Sequence, residues 1–377
     1  MENSIDSFKI ARETIEPFIL PNLKEYLNPP SLTKHSTNQP KLNPHIKALA
    51  SSSLMISVSV TPELEKTLQL VCDRLRIERS LFNLYVFPKK EIEAFCYIDT
   101  FPITLGMSSG AADLNKEQLA FIIGHEIGHS LIGSIINFST ENKTLEDMIF
   151  ARALEISSDR IGLLASKNIE TVGQTILITL SGLDQKHIRF DIHNFLENAQ
   201  NIQTTEIYEH DLYSSHPPLA QRCKALLQFS ICSDYLKFVG TKSDDSLSIE
   251  KINNTILNGL SETVDSKALS IIDKEISNLF IWIYASFVFS KTKIDIEDLN
   301  SKLKINVKKE DVAKAFNFVN AFSSYEKPEI MHEKIQSAIE NSYRISPRKL
   351  VGSLNLIKKL YPTFVFDNLD YLKSICL

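Results

Sequence analysis

The sequence predicts an α+β chain, mostly helical, with a small sheet in its first half and an all-helical C-terminal domain. Three observations predict it. Apolar residues recur at helical spacing over long stretches. Only the short runs 84–87, 94–98 and 102–105 read as strands. Beyond a polar break at 240–248 (GTKSDDSLS), the chain from Ile249 to Leu377 shows helical patterning alone.

Residues 1–27 read as a short amphipathic helical segment. Residues 28–45 (NPPSLTKHSTNQPKLNPH) are rich in Pro, Asn, Ser and Thr and read as a loop, so residues 1–50 are assigned to an N-terminal helix and a Pro-rich linker. A helix is expected from Pro62 to about Ile77, with Leu64, Leu68, Val71 and Leu75 on one face. The strand-like runs come next, and GMSSGAAD turns the chain. Asn115 can cap the following helix, with Gln118 at the N3 position of a capping box. That helix is expected over Lys116–Ile136, with Leu119, Ile122, Ile123, Ile127 and Leu131 apolar, and another over Leu145–Ser166. Helices continue to about Tyr235. The main domain is placed at 51–238, a linker at 239–248 and a helical domain at 249–377.

The 377 residues are 43% hydrophobic and 23% charged, an ordinary globular composition. The net charge of −5 gives no basic balance pointing to nucleic acid or an anionic membrane. Cys72, Cys96, Cys223, Cys232 and Cys376 are odd in number and form no CxxC pair, which argues against a disulfide framework or a thiolate zinc site. They read as reduced core residues of a cytoplasmic protein. The N-terminus, MENSIDSFKIARETIEPFIL, lacks the apolar core of a signal peptide. The most apolar later stretch, Leu279–Phe289, is far short of the roughly 20 residues a membrane span needs and reads as a buried helix.

Residues 125–129 read His-Glu-Ile-Gly-His. On a helix, i and i+4 share a face, so His125 and His129 can converge on one metal ion, while Glu126 can reach a water there without ligating the ion. A chance HExxH in a chain of this length is expected at roughly 1%, so the spacing alone is suggestive. The surrounding FIIGHEIGHSLIG is nearly all apolar, and burying two histidines and a glutamate there is costly unless a metal partners them. Catalytic zinc takes three protein ligands and keeps one position open. Glu155, in ALEISSDRIGLLA, is the best third candidate, and Asp159 follows on the same face, placed to take a hydrogen bond from the far nitrogen of a ligand histidine. The competing reading pairs these carboxylates with Arg152 or Arg160 at the surface. His187 and His193 lie in a polar stretch, His35 and His45 in the linker, and His210 and His332 have no partner pattern. His216, in SSHPPLAQR, is stiffened by Pro217 and Pro218, with Arg222 in the first turns of the helix they open. His216 and Arg222 can stabilise an oxyanion or hold an acidic partner, or simply belong to a capping loop with a surface arginine.

HEIGH at 125–129, EISSD at 155–159 and SSHPPLAQR at 214–222, in that order, resemble the M48 metallopeptidases, gluzincins that include the type I CaaX prenyl proteases and the HtpX heat-shock proteases. The stretch LYVFPKKEIEAFCYIDTFPITLGMSSGAADLNKEQLAFIIGHEIGH also follows the family's strand, Ala-Phe element, strand and active-site helix, so the resemblance covers roughly 60–230. It implies a zincin-like peptidase domain that binds one Zn2+ per chain. His125, His129 and Glu155 are then ligands, Glu126 the general base, and Asp159 the support of a ligand histidine. The His216–Arg222 loop closes over the site, with His216 as a transition-state donor or a reversible fourth ligand. Two features depart from the family: no spanning helix is found, and Glu93 stands before Ala94-Phe95, the substrate-pairing edge element, where Asn is usual.

The resulting expectation is a zinc-dependent endopeptidase acting on protein or peptide substrates, with no nucleic acid and no membrane span. The alternative is a catalytically silent or latent zinc-bound module. The C-terminal helical domain, faintly similar to a TerB-like module in SKTKIDIEDLNSKL, is expected to receive a regulatory partner.

Overall fold

The computed structural model describes residues 2–24, 44–97, 101–133, 143–189, 191, 197, 209–241, 246–261 and 264–361. The chain divides into two compact units. One comprises Met1–Phe138, Phe150–Ile207 and Ser214–Ser261; the other comprises Ser139–Ile149, Tyr208–Tyr213 and Glu262–Leu377.

The first unit is built on a four-stranded sheet of β1 (Leu54–Met55), β2 (Phe82–Phe87), β3 (Ala94–Tyr97) and β4 (Ile103–Ser108), in the order β1-β2-β4-β3. β2 and β4 run parallel, from Phe82 opposite Ile103 to Phe87 opposite Ser108, and β3 folds back antiparallel onto β4, which leaves β3 at an edge. Period-2 alternation turns Phe82 and Leu84 of β2 and Ile103, Leu105 and Met107 of β4 into the core. Ser108 locks the edge: its N–H donates to the Glu93 carbonyl at 2.8 Å, and its hydroxyl accepts from the N–H of Glu93 at 3.0 Å and of Ala111 at 3.1 Å.

The longer helices of this unit begin with α1 (Glu2–Ile15), which buries Phe8, Ala11 and Ile15 at helical spacing and leads into a 3-10 turn at Glu16–Phe18. α2 (Pro44–Ser52) was not foreseen: the expected linker ran to residue 45, while its stretch 28–43 lies outside the described residues. α3 (Pro62–Leu75) buries Leu68, Val71, Cys72 and Leu75 and stops two residues earlier than expected, where Arg76 adopts φ 59° and donates its N–H to the Asp73 and Cys72 carbonyls. α4 (Lys116–Gly133) starts on the expected capping box. The Asn115 side chain accepts from the N–H of Glu117 at 3.1 Å and Gln118 at 3.0 Å, and the Gln118 side chain accepts from the Asn115 N–H at 3.2 Å. The expected continuation to Ile136 lies outside the described residues. α5 (Leu145–Ser166) has the expected bounds. α6 (Ile169–Ser181), α7 (Leu219–Ser230), α8 (Ser233–Val239) and α9 (Ile249–Ser261) follow.

The second unit holds α10 (Val264–Phe289), α11 (Ile296–Leu303), α12 (Lys309–Asn320), α13 (Lys327–Ile345) and α14 (Pro347–Leu360). α10 is its core helix, burying Ile272, Ile276, Leu279, Phe280, Ile283, Tyr284 and Phe287 against α12 and α13. The apolar stretch Leu279–Phe289 is thus the second half of a buried helix. Glu146, in the first turn of α5, belongs to this unit and takes the Arg348 N–H at the start of α14 at 3.1 Å. No helix among the described residues is long and apolar enough to cross a membrane. Cys72, Cys96, Cys223 and Cys232 are free thiols, and Cys376 lies outside the described residues.

Candidate metal centre

The centre is set by how closely α4 and α5 approach. A Cβ on Gly124 would lie 2.5 Å from the Ala165 Cβ, and one on Gly128 would lie 2.9 Å from the Ser158 Cα. Four residues apart, these glycines share a face of α4 and let its backbone rest on α5. His125 and His129 each follow a glycine, so they point about 100° further round the helix, along the edge of the contact. Gly128→Ala is expected to cost about 1–3 kcal/mol, because the obstacle is backbone that no rotamer change moves aside. Thermal unfolding of the metal-free variant checks this; an unchanged midpoint would contradict the contact.

The candidate ligand atoms converge. His125 Nε2 and His129 Nε2 are 2.9 Å apart, His129 Nε2 is 3.2 Å from Glu155 Oε1, and His125 Nε2 is 3.7 Å from Glu155 Oε2. Among the described residues this is the one group of three His, Cys, Asp or Glu whose donor atoms all lie within 4.8 Å of one another. Zinc bonds of about 2.0–2.2 Å at tetrahedral angles place ligand atoms roughly 3.3–3.6 Å apart, so the three distances bracket what the ion requires. The donor set, two imidazoles and a carboxylate, is also one that zinc takes. Burial alone would push the Glu155 carboxyl up, but hydrogen bonds from His129 and His216 and the nearby imidazoles hold it well below the ordinary range. Burial likewise disfavours charge on His129, and Glu155 outweighs it, raising the imidazole pKa. Glu126 is half-buried and makes no hydrogen bond or ion pair among the described residues; its charge is felt by His129 and by the Cys96 thiol on β3.

Behind the ligands, Asp159 Oδ1 lies 3.0 Å from His125 Nδ1. Arg222 grips Asp159 with two hydrogen bonds, Nε to Oδ2 at 2.8 Å and Nη2 to Oδ1 at 2.6 Å. Burial pushes the Asp159 carboxyl up, and Arg222 and His125 more than offset it, leaving its pKa lowered. Arg222 stands in the first turn of α7, just after Pro218, and its Nη2 is 3.8 Å from Glu155. The His216 side chain is 64% exposed, with Nδ1 3.2 Å from Glu155 Oε2. Its loop is anchored from α5: Arg152 Nη1 donates to the Ser214 carbonyl at 2.7 Å, and the Ser214 hydroxyl donates to the His216 carbonyl at 3.0 Å.

Arg152 and Arg160 are not surface partners of Glu155 and Asp159. Both are buried, and Arg160 donates to the Phe18 carbonyl at 3.0 Å. Glu93 pairs with Lys89, so the acidic group before the edge strand carries its own counter-charge. His187 and His332 are exposed, and His210 lies 3.2 Å from Asp211. His35 and His193 lie outside the described residues, as does the side chain of His45. Sequence reasoning missed Gly124, Gly128 and the loop anchor Arg152. The repeat of Gly-His at 124–125 and 128–129 was the available signal for the glycines; a buried arginine reaching a carbonyl 62 positions away leaves none.

Against known proteins, the model of peptidase family M48 matches residues 59–141, and no curated protein and no solved structure matches the chain. The match spans β2 to β4 and the His125–His129 segment, and it stops before Glu155, Asp159, His216 and Arg222.

Proposed function

Taking residues 59–141 as a peptidase family M48 segment, we propose that this chain is a zinc-dependent endopeptidase in which His125, His129 and Glu155 hold the metal and Glu126 is the general base. The observation that carries the reading is the meeting of three donor atoms from two close-packed helices, next to Glu126, which has no hydrogen bond or ion pair among the described residues.

Held by His125, His129 and Glu155, a zinc ion would supply acidification of a water and polarisation of the scissile carbonyl. Glu126 takes the proton as the water attacks and delivers it to the leaving amine. His216, exposed beside Glu155, donates to the developing oxyanion. Of the two roles the sequence leaves open for Arg222, oxyanion donor or holder of an acidic partner, its grip on Asp159 supports the second: it fixes the carboxylate that orients His125. β3 lies at an edge of the sheet, where an extended peptide backbone can add as a further strand. The Lys89–Glu93 pair leaves the entrance to that edge without net charge.

The test measures zinc content and hydrolysis of a panel of unfolded proteins and peptides. The expected result is one zinc per chain and cleavage that a chelator abolishes and added zinc restores, with both lost in His125→Ala. One bound equivalent in His125→Ala would contradict the ligand assignment. The contact of His216 with Glu155 favours a second reading, a latent peptidase whose His216 covers the metal. Faster cleavage by His216→Ala than by wild type supports latency, and slower cleavage supports the donor role.

A further inference from the structure

The back of α5 carries a buried cation that the proposed reaction does not use. Arg160 has no solvent exposure. Its Nη1 donates to the Phe18 carbonyl at 3.0 Å and its guanidinium lies 4.9 Å from the Phe229 ring centre, while Nε and Nη2 have no hydrogen-bond partner among the described residues. Burial brings its pKa down to about 9, so it stays charged at neutral pH. A buried charge with so few partners makes each one count, and the Phe18 carbonyl cannot move off without leaving the guanidinium bare.

One turn earlier, the Ser157 hydroxyl accepts from the Leu20 N–H at 3.1 Å and donates to the Ala153 carbonyl at 2.8 Å. The segment making these two bonds is itself fixed, with Ile15, Phe18, Ile19, Leu20 and Leu23 buried and the Phe18 ring set edge-on to Phe229 and Phe238. At about 100° per residue, Ser157 lies roughly 160° round α5 from Glu155 and Asp159, and Arg160 roughly 140° from Glu155 and 100° from Asp159. One face of the helix meets the metal centre and the opposite face is tied to the chain's N-terminal segment. The rotation of α5 matters for the metal: turning it by about 20° swings a group about 5 Å from the axis by about 2 Å, whereas ligand distances must hold to about 0.2 Å.

We infer that Ser157 and Arg160 are positioning residues of the metal centre, a two-point clamp to the backbone of Leu20 and Phe18 that keeps Glu155 and Asp159 turned toward His125 and His129. This inference rests on the zinc reading above, so its test has one arm that needs no metal.

The full-length chain is compared with Ser157→Ala, Arg160→Met, Arg160→Lys and, as a control, Phe8→Ala, which removes apolar burial from the N-terminal region without touching either bond. Zinc affinity is measured by chelator competition on protein shown to be folded by a cooperative transition. Ser157→Ala and Arg160→Met are expected to bind about 10-fold more weakly and to shift the visible spectrum of the cobalt-loaded protein, while Arg160→Lys, which still presents a donor to Phe18, recovers most of the affinity. Phe8→Ala is expected to melt earlier but bind zinc as wild type does. In the metal-free arm, hydrogen exchange of the 153–160 amides is expected to quicken in Ser157→Ala and Arg160→Met while α13 stays protected. Wild-type zinc affinity and cobalt spectrum in folded Ser157→Ala would overturn the inference, as would an equal loss of affinity in Phe8→Ala. If the wild-type chain takes up no zinc, the zinc reading has failed on its own and exchange alone decides: unchanged protection at 153–160 overturns the clamp and local loss upholds it.

Discussion

Glu126→Gln is expected to keep one zinc per chain and to lower kcat/KM for a cleaved peptide by about 10²–10⁴-fold, the range that general acid–base groups contribute. The reason is geometric. Glu126 follows His125 on α4 but is not among the three converging donors, and among the described residues it has no hydrogen bond or ion pair. The amide keeps the shape of the side chain and removes its ability to take a proton. Metal analysis beside single-turnover kinetics checks both halves. Full activity would remove Glu126 from the mechanism, and loss of the metal would mean that Glu126 helps to hold it.

Arg222→Met is expected to cost about 3–5 kcal/mol of stability, because it leaves the Asp159 carboxylate buried without its counter-ion. Asp159 is 1% exposed and Arg222 12%, so solvent screens little of this interaction. A urea midpoint on the metal-free protein measures the loss, and zinc affinity is expected to fall by about 10–100-fold as His125 loses its fixed partner. The pH dependence has a definite sign. The Asp159 pKa is lowered in the folded state, so its contribution is present above the ordinary carboxylate range and is lost as pH falls through the folded value. Without Arg222, burial raises the folded Asp159 pKa, so the loss of stability on acidification is expected to shrink or reverse. A variant as stable as wild type across the acid range would show that the two hydrogen bonds contribute nothing net.

Much of the front of the centre was legible in the sequence because it rests on local periodicity. HEIGH on an apolar helix places both histidines on one face, Asn115 and Gln118 mark where that helix begins, and Glu155 and Asp159 share a face at i and i+4. What was hidden depends on contacts distant in sequence. Arg152 and Arg160 look like surface partners for nearby carboxylates, yet they reach backbone carbonyls 62 and 142 positions away. The short helix α2 was obscured by Pro44 and the polar run before it, since proline that ends a loop reads much like proline that opens a helix.

The glycine contact between α4 and α5 also bears on which ion the centre accepts. Side chains can swing to enlarge a cage, but the separation of His125 and His129 from Glu155 is set by one backbone resting on another at Gly124 and Gly128. Such a centre has a nearly fixed bite. It suits zinc, whose bonds to imidazole nitrogen are about 2.0–2.1 Å, and disfavours calcium, which seeks six to eight oxygens at about 2.3–2.6 Å. On the proposed zinc reading, selectivity for the small ion would be written into two residues that never touch it.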